Sequence, residues 1–214
     1  MLAHQRMVGS DGYEVALFPL EYLYMSQDEN GDYSHMNTYN IDFLGWGANG
    51  RIYECPLYAP CTMKVVALWG YSSSHTVTFE SVDKVHLPNG SLDYLTLSCT
   101  HANNPPYHTV GDTIQQGEIC YYTGTTGNVT GDHVHLCVGQ GHYSGYTQRT
   151  GGHYDLSNRI HCWEGLFVND TVIRQGYGHP WIEYQGGSTP TERKQHKFPW
   201  VLYAKKLRYK SQFR

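Results

Sequence analysis

Gly131-Asp132-His133-Val134-His135-Leu136-Cys137-Val138 reads as a short strand entered from a turn. The preceding Thr126, Gly127, Asn128, Thr130 and Gly131 are turn formers. Val134, Leu136 and Val138 alternate with His133, His135 and Cys137, and strand residues two apart share a face. Both imidazoles are therefore expected to look out of one side of a sheet whose other side packs a core. Two neutral imidazoles side by side make a half-site for zinc. With 13 His in 214 residues, chance alone supplies about 0.8 His-x-His pairs. The flanking sequence has to decide what this pair does.

Working upstream, the pattern is one of short strands and frequent turns. Glu118 to Tyr122 alternates as a strand, Gly111-Asp112 turns the chain, and Asn103-Asn104-Pro105-Pro106 breaks it. Leu92 to Cys99 reads as one strand with Leu95 and Leu97 on one face, Tyr94 and Thr96 on the other, and His101 at its end. Pro88-Asn89-Gly90 is a hairpin signal after Val82 to Leu87. Thr76 to Phe79 alternates, and Met63 to Trp69 reads as a buried strand. Further back, Ile41 and Phe43 flank Asp42, so Asp42 points away from the core, where a charge wants a partner or a metal. His35 opens that segment. Val15 to Tyr24 is apolar but interrupted by Pro19, which favours an edge strand or an extended lead-in over a helix. No helix of ordinary length is required up to residue 140. The expected fold is mostly β: an antiparallel sheet module with a groove, at 13–140, followed by a less regular C-terminal extension at 141–214. In that extension 141–152 reads as a long loop, a short element is expected near Leu166 to Ile173, and Phe198 to Leu207 is a candidate last strand.

Composition agrees with this picture. Tyr is abundant at 19 and Gly at 23, while charged residues make up only 16%, below the usual quarter. Eight of the 15 Lys and Arg lie between Arg193 and Arg214, leaving seven basic against 19 acidic residues before them. A body at −12 is not that of a nucleic-acid binder, and the +8 tail reads first as a solvated basic terminus and second as a contact for an anionic surface or a larger assembly. The six cysteines form no Cys-x-x-Cys pair, so they are expected as mostly reduced, buried thiols rather than a zinc knuckle, with Cys99 and Cys137 on adjacent strands near the site or else separately buried. Neither a secretory signal nor 18 consecutive apolar residues is seen, so no transmembrane segment is expected.

Four pieces now stand in order: His35, Asp42, His101 and His133-x-His135. That order resembles the lysostaphin-type zinc metalloendopeptidases, which cut the peptide parts of bacterial peptidoglycan. Tyr58-Ala59-Pro60, Leu95-Thr96-Leu97, the segment from Gly111 to Gly117 and the segment from Gly124 to Gly131 also look like family segments. The resemblance runs from about Phe18 to Gly139. It implies that His35, Asp42 and His135 hold one zinc ion per chain, and that His101 and His133 are catalytic. Six residues separate His35 from Asp42, where the family commonly has three; Asp132 stands where Pro is frequent, and Cys137 where an acid is often found. The insertion style, the missing signal peptide and the ending Leu166-Phe167-Val168-Asn169-Asp170-Thr171 look most like bacteriophage lysins and tail-associated members. The resemblance therefore implies bacterial peptidoglycan as substrate, other virion tail proteins as possible partners, and a place in the phage tail or at the host cell wall.

Two His and one carboxylate leave a fourth tetrahedral position open, which marks a catalytic rather than a structural zinc. No His-Glu-x-x-His helix is present, so an imidazole would replace the glutamate base of thermolysin-like enzymes. An inactive wall-binding or tail module of the same fold is the alternative reading. A cupin-type centre would want a Glu three or four residues after His135, where Val138 and Gly139 stand.

Overall fold

A computed structural model of the chain describes residues 3–69, 73–150 and 152–168. The basic segment Arg193–Arg214, the candidate strand Phe198 to Leu207 and the end of the element expected near Leu166 to Ile173 lie outside the described residues.

The described chain is antiparallel β with a single helical turn. In order the elements are β1 (Met25–Gln27), β2 (Ile41–Phe43), β3 (Trp46–Gly47), β4 (Gly50–Arg51), β5 (Pro56–Tyr58), β6 (Met63–Trp69), β7 (Thr76–Ser81) and β8 (Val85–His86). They continue with β9 (Leu92–Asp93), β10 (Leu95–Thr100), β11 (Thr113–Ile114), β12 (Ile119–Tyr122), β13 (Val134–Gln140), β14 (Tyr146–Gln148), β15 (Tyr154–Leu156), β16 (Arg159–Ile160) and α1 (Cys162–Gly165). The main sheet runs β1-β2-β13-β10-β7-β6-β11, with β16 added to the far half of β13. No helix among the described residues is long and apolar enough to cross a membrane.

Period-two alternation gives this sheet two chemically different faces. Val77 and Phe79 of β7, Leu95, Leu97 and Cys99 of β10, and Val134, Leu136 and Val138 of β13 are buried together on one face. Phe18, Leu20 and Leu23 from the extended lead-in, Leu57 of β5 and Leu166 cover them. Phe43 is fully buried and meets Phe18 edge to face at 5.1 Å, a burial worth about 1.5–3 kcal/mol. The opposite face carries Thr76 and Thr78, Thr96, Ser98 and Thr100, and then His135 and Cys137.

Several expectations are corrected. Met63 to Trp69 is a strand with those bounds, but it is only half buried, and Trp69 is 47% exposed. It lies near the sheet edge, where β11 covers only Met63 and Lys64. The single strand expected at Leu92 to Cys99 is two, because β9 folds back on β8 before Tyr94 leads into β10. The expected loop at 141–152 contains β14, which pairs with β15. That ribbon is held by tertiary contacts rather than by its own alternation. The Tyr146 hydroxyl bonds across to Thr78 and Ser98, and buried Asp155 pairs with Arg149 and Arg159. All six cysteines are buried free thiols. Cys99 and Cys137 do sit on adjacent strands, but Cys99 pairs with Leu136 and Cys137 with Ser98. Directly paired residues share a face, so the two thiols point to opposite sides of the sheet.

Candidate metal centre

Strand register does most of the assembly. β2 and β13 are antiparallel neighbours, and Asp42 lies directly opposite His135. Their side chains therefore emerge together on the polar face, with Asp42 Oδ1 2.9 Å from His135 Nδ1. On the other side of β13, Thr100 is opposite His135, so His101 leaves β10 beside the same spot. His101 has a left-handed backbone, φ 92°, and its amide donates to Ser74 O. This sharp exit turns its ring toward the two strand histidines, with centroids 4.8 Å from His133 and 5.7 Å from His135.

His35 arrives from a loop instead of a strand. Gly31 N donates to Asp28 O, His35 N to Gly31 O and Thr38 N to His35 O, winding the segment tightly. The ring is fully buried, and its Nδ1–H donates to Asp28 O at 2.9 Å. That bond fixes the tautomer and leaves Nε2 as a lone pair. Nε2 lies 3.1 Å from His135 Nδ1 and 3.3 Å from Asp42 Oδ1. The longer spacer between His35 and Asp42 is thus taken up by the wound loop.

The three residues offer ligand atoms that all lie within 4.8 Å of one another. Donors about 2.0–2.1 Å from a tetrahedral zinc are about 3.3 Å apart, close to the separations here. Two imidazole nitrogens and a carboxylate oxygen converging on one point suit a cation. Burial would raise the Asp42 carboxyl, but the His135 and His35 rings beside it outweigh this and hold it well below the usual carboxylate range. Burial likewise lowers His135, against the pull of Asp42. Both shifts favour the ligand forms, carboxylate and neutral imidazole.

His101 and His133 flank the centre in matching ways. His101 Nδ1–H donates to Thr126 O and His133 Nδ1–H to Gly131 O, each at 2.7 Å. Each ring keeps Nε2 available, and His133 Nε2 lies 3.6 Å from Asp42 Oδ1. Burial, followed by the neighbouring His135 and His133 rings, lowers His101 to about 4, so it is a neutral acceptor near pH 7. All five sequence-predicted residues meet at one spot. Asp132 stands apart as a strut: its carboxylate accepts from Thr123 Oγ1 at 2.7 Å and Glu54 N at 3.1 Å. It fixes the turn that leads into β13.

Other residues at the site were not foreseen. The cavity beside His101 and His135 is walled by Trp69, Tyr146 and Tyr154; of Tyr22, Tyr39, Trp46 and Tyr107, the aromatics that the sequence offers for a groove, Tyr39 stacks instead on His161 at 4.1 Å and Trp46 on Tyr24 at 4.2 Å. Glu29 is only 4% exposed and ties the His35 loop to the far end of the described chain. It accepts from Cys162 N at 3.1 Å and meets His161 Nδ1 at 2.5 Å. In the sequence Asp28-Glu29 looks like part of a solvated turn, because its partners lie more than 130 residues away. Burial pushes the Glu29 carboxyl up to about 8 from an ordinary 4.5. Between those values the folded chain keeps a proton that the unfolded chain has released. The stabilisation is therefore full below about pH 4.5 and is lost as pH rises through about 8. Glu29→Gln is expected to remove a slope of up to about 1.4 kcal/mol per pH unit. Thermal unfolding from pH 5 to 8 measures it, and an unchanged slope in the variant would assign the dependence elsewhere.

No family model matches the chain. It is similar to "Morphogenesis protein 1" of Bacillus phage B103, at 33% identity over 174 residues covering 81% of this chain. The match takes in 45% of that relative, so the chain spans less than half its length. Among solved structures it is similar to the catalytic domain of the antimicrobial peptidase lysostaphin from Staphylococcus simulans, at 19% identity and TM-score 0.36, covering 62% of this chain and 81% of that one. It is also similar to a zinc-containing peptidase from Vibrio cholerae, at 16% identity and TM-score 0.39, covering 62% and 42% respectively.

Proposed function

We propose that the chain is a zinc-dependent endopeptidase that hydrolyses amide bonds in the peptide stems or cross-bridges of bacterial peptidoglycan. In this reading 13–140 is the lysostaphin-like metallopeptidase domain and 141–214 its extension. The observation that carries it is the convergence of His35, Asp42 and His135 on one point with two more imidazoles, His101 and His133, facing that point. Similarity to a phage morphogenesis protein supports work at the virion during entry or host lysis, with bacterial peptidoglycan and other virion proteins as partners.

His35 Nε2, Asp42 Oδ1 and His135 Nδ1 would hold the metal. Zinc, when bound, supplies a Lewis acid that acidifies water toward about pH 7 and polarises the scissile carbonyl. The chain supplies the rest. Asp28 O keeps the His35 ring in its ligand tautomer. The Nε2 atoms of His101 and His133 divide two tasks between them: accepting the proton of the attacking water and donating to the developing oxyanion. The backbone carbonyls of Thr126 and Gly131 take the Nδ1–H of both rings and turn each Nε2 to the centre, where a neutral ring accepts and the ring that donates does so as its imidazolium.

The test is incubation of the zinc-loaded chain with peptidoglycans of several peptide types, with the released fragments identified by mass spectrometry. New peptide amino and carboxyl ends are expected from at least one type. Intact peptides throughout, or new reducing sugar ends alone, would refute the reading and leave a binding or structural module.

A further inference from the structure

The cavity that begins at His101 and His135 runs on along the polar face and measures about 380 Å³, small among ligand pockets of about 300–1,000 Å³. Its floor starts as a row of hydroxyls. Ser74 Oγ is 3.1 Å from Thr76 Oγ1, which is 3.0 Å from Thr100 Oγ1. Two residues further along β10 the floor is covered. There the Tyr146 hydroxyl lies 2.5 Å from Thr78 Oγ1 and 2.8 Å from Ser98 Oγ. Trp69 packs on Tyr146 and on Tyr154, with centroids 5.2 and 5.0 Å apart. Exposure records the change. Thr100 and His135 are partly open, whereas Ser98 is 4%, Cys137 3% and Thr78 0% exposed.

We propose that the β14–β15 ribbon makes the groove a dead-ended, uncharged pocket, which takes about two small neutral peptide residues on one side of the scissile bond and no more. The length follows from the strand. Thr100 marks the site and Ser98 the wall, and two extended residues span about 7 Å. The neutrality follows from the lining, which among the described residues holds no Asp, Glu, Lys or Arg and, beyond the site histidines, only the His153 imidazole. A cation carried to the wall would lose its hydration and meet no carboxylate there. Hydroxyls that already bond one another keep spare donors and acceptors for peptide groups, and the Trp69 and Tyr154 rings give an apolar rim. As a statement about the substrate, this rests on the endopeptidase reading.

The test reads binding, so it needs no turnover. End-blocked Ala-Ala is compared with the same peptide carrying Lys-Lys at its N-terminal end, its C-terminal end or both. The probe is the Trp69 indole N–H resonance of the zinc-loaded chain, assigned with Trp69→Phe. Blocked Ala-Ala and one of the singly tagged peptides are expected to shift it. The other singly tagged peptide and the doubly tagged one should need at least tenfold higher concentrations. Tyr154→Ala, which opens the wall, should shrink that difference to less than threefold. Equal responses to all four peptides, or no response of Trp69 to any, would overturn the pocket. If the peptides bind as expected while no peptidoglycan is cut, the pocket stands and the endopeptidase reading falls. The converse result removes the pocket alone.

Discussion

Asp42→Ala and His135→Ala are each expected to leave the purified chain without zinc and without hydrolysis of peptidoglycan. Three protein donors are the set with which a catalytic zinc is held, and each variant leaves two. Asp42 carries more than a ligand atom. It lies within 3.3 Å of both His35 Nε2 and His135 Nδ1, and it brings the only negative charge of the three. Its loss should also let the two imidazoles, 3.1 Å apart, repel one another once protonated. Elemental analysis and fragment release on the same preparations check this. Either variant retaining both zinc and turnover would remove that residue from the ligand set.

His133→Ala and His101→Ala should behave differently. Each ring is tied through Nδ1 to a backbone carbonyl and faces the centre without belonging to the three converging donors. Zinc is expected to stay near one per chain while turnover falls about 10²–10⁴-fold, the ordinary worth of a positioned acid or base. Because burial and the rings of His135 and His133 hold His101 near 4, its protonation does not set the acid limb of the rate profile. That limb should follow loss of metal as the ligand imidazoles take up protons, so zinc content and rate should fall together below neutrality. A variant of His101 or His133 with unchanged turnover would end its catalytic assignment.

What the sequence disclosed was whatever a short-range period encodes. The alternation through Val134, Leu136 and Val138 placed His133 and His135 on one face, and Ile41 and Phe43 did the same for Asp42. Cross-strand register then made those two readings meet, at His135 opposite Asp42. The antiparallel fold was legible for the same reason, from turn residues spaced between short alternating runs. Elements without a period of their own were not legible. β14 is a strand because Tyr146 finds Thr78 and Ser98, and nothing within Tyr146 to Gln148 announces it. Glu29 became a clamp on the His35 loop only through His161 and Cys162. Trp69 looked like the end of a buried strand, and it is exposed because only β7 pairs that end of β6, while β11 on the other edge reaches Met63 and Lys64 alone.

The central claim is that one histidine of the His-x-His pair holds a metal while its neighbour does not. It is tested most directly by the zinc content of His135→Ala measured beside that of His133→Ala. The account predicts that the first is empty and the second carries about one zinc per chain. Zinc retained by His135→Ala and lost by His133→Ala would contradict it.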